Sequence, residues 1–103
     1  MTPHAIDRTQ ILLATQSAIL GEVFPGLASL FVSWDQHLIK LTYHVNEKLI
    51  AEDHESISRI EAEMAAHFPE QEIESSVIGL PFPAPDSRMV CVFAKRPPTP
   101  DSL

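Results

Sequence analysis

LASLFVSWDQHLIKLTYHV, residues 27–45, decides the fold. From Leu27 to Trp34 the apolar Ala28, Leu30, Val32 and Trp34 alternate with a set that includes Ser29 and Ser33. From His37 to Val45, Ile39, Leu41, Tyr43 and Val45 alternate with Lys40, Thr42 and His44. A period of two is that of a strand with one buried face. A hairpin closed at Asp35-Gln36 pairs Val32 with Ile39, Leu30 with Leu41, and Ala28 with Tyr43. A four-residue loop centred there keeps the same pairs. A slip of one residue would set the serines against the core set, so the pattern specifies the register.

Working outward, Ile6 to Val23 reads as a helix that Asp7 or Thr9 can start by offering an oxygen to its first free amides. Leu12, Ile19 and Val23 form its stripe, with Leu13 and Leu20 beside them, and Gln16 interrupts it. Pro25-Gly26 ends this segment. On the other side, Glu52 to Phe68 reads as a second helix with the stripe Ile57, Ile60, Met64 and Phe68. Pro69 stops it. Glu72 to Leu80 reads as a weakly alternating third strand. Pro81-Phe82-Pro83-Ala84-Pro85 makes a stiff connection. Ser87 to Arg96 reads as a fourth strand, apolar on both faces and therefore expected inside the sheet.

The expected fold class is α+β, a two-layer α/β sandwich in the order α-β-β-α-β-β. Two helices lie on one face of a mostly antiparallel four-stranded sheet. At 103 residues this is one domain over residues 1–96. Residues 97–103, opening on Pro97-Pro98, are expected to form a flexible Pro-rich tail.

Charge is placed unevenly. The formal net charge is -7. Nine of the fourteen acids lie between Asn46 and Ser76: Glu47, Glu52, Asp53, Glu55, Glu61, Glu63, Glu70, Glu72 and Glu74. Only Lys48 and Arg59 oppose them there, so this stretch carries the net charge of the chain. Such a balance disfavours nucleic acid and anionic membrane as partners and favours a basic protein. A solvated helix face is the plain alternative. Glu52, Asp53, Glu55 and Glu63 are the candidate partner-binding residues. The first three also suit the positive end of the helix dipole. Glu55, Arg59 and Glu63 are spaced to pair along one face.

No catalytic residue is expected. Gly21, Gly26 and Gly79 are too scattered for a phosphate loop. His4, His37, His44, His54 and His67 fall in no motif, and none of the serines sits in a nucleophile elbow. Asp53-His54-Glu55 offers metal ligands, but adjacent helical residues point apart, so no metal and no cofactor is called for. Cys91, mid-strand, reads as a buried apolar residue. Trp34 is expected in the core or half-buried at its edge, and Phe82 is either an exposed contact or a cover for the sheet. A single cysteine allows no internal disulfide, and no basic-then-apolar leader or long apolar run is present. A cytoplasmic protein is expected.

Several stretches together carry a resemblance. Leu20-Gly21-Glu22-Val23 precedes a Pro-containing turn, and a strand ends in Trp34. Glu52-Asp53-x-Glu55 opens a helix and Phe68-Pro69-Glu70 closes it. Pro81-x-Pro83 precedes a final strand. From about Leu12 to Arg96 the chain resembles small bacterial immunity proteins of contact-dependent growth inhibition and related polymorphic toxin systems. The resemblance implies a non-enzymatic protein that binds one cognate toxin domain and blocks it. Many such toxins are basic nucleases, whose phosphate groove an acidic surface fits. It transfers no catalytic residue. Similar chains have a serine before the acidic pair; Ala51 stands here and cannot cap. The alternative is a small interaction or dimerisation module unrelated to toxins, and a homodimer is compatible with the sequence.

Overall fold

The computed structural model describes residues 7–95. The expected tail over residues 97–103 lies outside them, as do Ile6 and Arg96 at the ends of two expected elements. The elements are α1 (Arg8–Ile19), β1 (Leu27–Trp34), β2 (Leu38–Val45), α2 (Ala51–His67), β3 (Glu72–Ile78) and β4 (Val90–Ala94). The strands form one sheet in the spatial order β3-β2-β1-β4. Alternation puts Leu30, Val32, Ile39, Leu41 and Tyr43 on one face. There they join buried residues of both helices in a single core.

The fold is α+β, but its sheet is mixed. β1 pairs antiparallel with β2 and β4, whereas β2 and β3 are parallel. The cause is α2. A helix packed along the sheet carries the chain back to the end where β2 began, so the next strand runs the same way as β2. Ile57, Ile60 and Met64 anchor that helix in the core, with Phe68 just beyond it, as their spacing implies.

The hairpin has the expected faces and a different register. Trp34 faces Ile39, Val32 faces Leu41, and Leu30 faces Tyr43. The turn sits one residue later than Asp35-Gln36 because Asp35 organises it. Its Oδ1 accepts from the amides of His37 at 2.7 Å and Leu38 at 2.9 Å. Those bonds hold the Asp35 carboxyl below its usual pKa. Pairing moves by two positions in sum, so Leu30, Val32, Ile39, Leu41 and Tyr43 stay on their expected face, while a bulge between Leu27 and Ser29 puts Leu27 in the core in place of Ala28.

Helix α1 departs further from the pattern. Asp7 does cap it, accepting from the Thr9 amide at 3.3 Å. Its buried side is Ile11, Ala14, Thr15, Ala18 and Ile19; of the expected stripe, Ile19 is buried, Leu12 is half-buried against the core and Val23 is not covered. Leu13, Leu20 and Val23 are exposed. Small residues let the helix lie close to its neighbours, and Thr15 is tolerated because its hydroxyl donates to the Ile11 carbonyl at 2.7 Å. The helix also stops before Pro25-Gly26. Leu20 turns to an extended conformation and Gly21 takes φ 78°, a left-handed conformation that glycine adopts at little cost.

Strand β4 is an edge, not an interior strand. A register shift lets Phe93 pair with Leu30 and Val90 with Val32, while Cys91 pairs with Phe31 on the opposite face. The extra residue turns an odd-numbered and an even-numbered side chain to the same side. That is why β4 looked apolar on both faces. Cys91 is exposed, contrary to the buried reading.

Since β3 and β4 are opposite edges, the segment from Gly79 to Met89 must cross β2 and β1. The helices occupy one face, so it crosses the other. Phe82 folds back there and stacks on His44, with ring centroids 4.6 Å apart and 15° between planes. Phe31 flanks the same imidazole at 5.0 Å. This cover leaves His44 only 4% exposed and Thr42 only 1%. Burial holds the His44 pKa below its ordinary 6.5. The unfolded chain therefore binds a proton that the folded chain does not, from that value down to the folded one. Stability is lost as pH falls through this window. His44→Phe keeps an aromatic side chain and removes the titration. In urea unfolding from about pH 7 to about pH 5, the wild type should lose stability more steeply than this variant. Parallel slopes would contradict the assignment.

Candidate partner-binding surface

The start of α2 is built from the backbone and one acid. Ile50 is the N-cap residue and has no side chain to cap with. Its carbonyl accepts from the amides of Asp53 and His54. Asp53 Oδ2 reaches back to accept from the Ile50 amide at 3.0 Å. Asp53 is only 9% exposed, so this candidate contact residue lies inside the helix start rather than on the surface. It answers the difficulty posed by Ala51: the missing serine is replaced by the reverse half of a capping box.

The remaining acids of α2 are divided by helix geometry. At about 100° per residue, Glu52, Glu55, Arg59 and Glu63 share one flank. That flank leans toward α1, because Arg59 Nε meets Glu22 just beyond α1 at 2.7 Å. Arg59 also approaches Glu55 at 4.0 Å. Arg59 holds the Glu22 carboxyl below its usual range, and Glu22 raises the guanidinium in turn. One cation thus ties α2 to the loop after α1 and balances part of the ridge. Glu52 and Glu63 are exposed and form no ion pair among the described residues.

The other flank faces β3. Ser58, Glu61, Ala62 and Ala65 line a groove of about 380 Å³ with Gln71 and Ile73. By register, Glu72 and Glu74 lie on the sheet face away from the helices, with Glu74 beside Lys40. The acidic stretch is therefore two surfaces. One is the ridge of Glu52, Glu55 and Glu63; the other surrounds the β3 edge.

Exposed apolar side chains accompany the acids. Ile50 is 60% exposed, Val77 44% and Leu80 65%. Ile78 pairs with His44, next to the end of β2, and α2 begins a short loop after that end. All three residues thus lie at the end of the molecule where Glu52 sits. Apolar anchors rimmed by charge are the composition of a protein-binding surface. The sequence reading missed them. The signal was faint: Ile50 sits in the short run Leu49-Ile50-Ala51, Val77 is beside Ile78, and Leu80 falls just past the end of β3.

Other chemistry-bearing residues do not converge. His37 lies in the hairpin turn and His44 under Phe82, while His54 and His67 are exposed along α2. His4 is outside the described residues. Cys91 Sγ lies 3.3 Å from the Phe93 carbonyl. Among the described residues, no three of His, Cys, Asp and Glu assemble to hold a metal ion. Among them, too, no helix is long and apolar enough to cross a membrane.

Residues 8–96 match the family model of the MafI2 immunity protein, and the chain belongs to that family. This places it among the small bacterial immunity proteins of toxin systems. Among curated proteins, none matches it.

Position on the helix separates folding from display. Asp53→Ala removes the acceptor for the Ile50 amide and should cost about 1 kcal/mol in chemical denaturation. Glu52→Gln, Glu55→Gln and Glu63→Gln should each stay within about 0.5 kcal/mol. A large loss on changing Glu52 or Glu63 would show that the ridge is structural.

Proposed function

We propose that this member of the MafI2 immunity protein family neutralises a basic toxin domain by binding it and masking its working surface, without catalysis. The observation that carries this reading is the acidic ridge of α2. Glu52, Glu55 and Glu63 project from a helix whose opposite side is fixed in the core. They can contact a partner without disturbing the fold. Asp53 supports the surface from beneath by holding the helix start.

A basic partner follows from electrostatics. Oriented acids attract it at a distance, speed its encounter and disfavour acidic competitors. A nuclease fits this description, because the cationic groove that binds phosphate is also complementary to a row of carboxylates. The partner gains the same kind of contact that it would make with nucleic acid. Ile50, Val77 and Leu80 supply the apolar area that charge alone does not, since exposed ion pairs add little net affinity. The site of action is the cytoplasm, a setting that the single free cysteine suits.

The test is binding to a purified cognate toxin domain. The triple variant Glu52→Lys, Glu55→Lys, Glu63→Lys should fold normally and associate at least about tenfold more slowly at low salt. The difference should shrink as salt rises. Unchanged association by the folded variant would remove the acidic ridge from the interface. Absence of any complex with the native protein would remove the toxin-binding reading itself.

A further inference from the structure

We propose that the free edge of β3 takes up an extended, basic segment of the toxin as a fifth strand of the sheet. This deepens the toxin-binding reading and rests on it. Among the described residues the sheet ends at β3, whose only strand partner there is β2. Its outer backbone amides and carbonyls are thus open to a further strand, which an extended chain can satisfy along the whole edge. At seven residues β3 is longer than β4, the other edge, which has five.

The surroundings are shaped for a guest. On the helix side, the groove of Ser58, Glu61, Ala62 and Ala65 lies directly against β3 at Ile73. The two alanines and the serine leave room for side chains from a strand alongside. Beneath the seam the hydroxyls of Tyr43 and Ser75 lie buried beside each other, between β2 and β3. Tyr43 is fully buried, and its hydroxyl lies near both Ser75 and Glu61, which places it between β2, β3 and α2.

Charge selects the occupant. A guest strand alternates its side chains between the two faces of the sheet. On one face they meet Glu61; on the other they meet Glu72 and Glu74. Lysine or arginine at alternate positions fits both. A second copy of this chain does not, because it would bring the same acids to the same edge. The acids therefore guard the edge against self-pairing while favouring a cationic strand.

The edge can be tested without the toxin. The probe is a peptide of about eight residues alternating lysine and valine. Two controls accompany it: the same peptide N-methylated at alternate amides, and one with glutamate for lysine. Titrated into ¹⁵N-labelled protein, the lysine peptide should shift amide signals of Glu72 to Ile78 and of Ser58, Glu61 and Ala62. N-methylation, or Glu72→Lys with Glu74→Lys, should weaken binding about tenfold or more. The glutamate peptide should not bind. Shifts confined to the Glu52, Glu55 and Glu63 flank would overturn the proposal. So would equal affinity for the N-methylated peptide, or no binding by the lysine peptide. None of these results bears on whether the toxin domain binds, which is measured with that domain itself.

Discussion

Helix α2, lying between β2 and β3 on one face of the sheet, is the constraint from which the architecture follows. Ile57, Ile60 and Met64 bury its inner side in the core. Each such side chain contributes roughly 1.5–3 kcal/mol by leaving water. Once the helix is seated there, β3 must run parallel to β2 and lie beside it, on the flank away from β1. The chain is then on the wrong side of the sheet for β4. It returns over the open face, and Phe82 closes on His44. Two edges, one crossing segment and two acidic flanks all follow from one helix placement.

Much of this was legible in the sequence because the strongest periodicities are local. β1 has the expected bounds, β2 differs by one residue at its start, and α2 is shifted by one residue at each end. Strand direction was less legible. Alternation says which face is buried, but not which way a strand runs. The missed clue was connection type: a strand, a long amphipathic helix and a strand form the unit that parallel pairing requires. Helix α1 was misread for a different reason. Leu12, Leu13 and Leu20 drew the expected stripe to one side, whereas the core accepted the side where Ala14, Thr15 and Ala18 stand between Ile11 and Ile19. Size in a sequence does not report closeness of packing. The position of β4 was hidden by its bulge, which no composition reveals.

The acidic stretch shows the same division. Its outward display on α2 was readable from the apolar stripe on the opposite side. The use of Asp53 as a cap was not, because its role depends on Ile50 lying at the helix boundary. The split into two flanks depended on Arg59 reaching Glu22, thirty-seven positions away. That pair lends the ridge its orientation toward α1. Ile50 is far in sequence from Val77 and Leu80, and the three come to the same acidic end only through the fold. Membership of the MafI2 immunity protein family gives these surfaces a context. On the proposed reading, the acidic ridge and the open strand edge are the two flanks of α2, with the apolar residues at the end where Glu52 sits.

The most direct measurement is the structure of the protein bound to its toxin domain. The account requires basic toxin side chains against Glu52, Glu55 and Glu63, with Ile50 in the interface and the core of the immunity protein unmoved. A different seat is available at the opposite end of the sheet. There Trp34, Lys40, Asp86 and Arg88 help to line a cleft of about 220 Å³. A toxin seated in that cleft, with α2 left in solvent, would contradict the account.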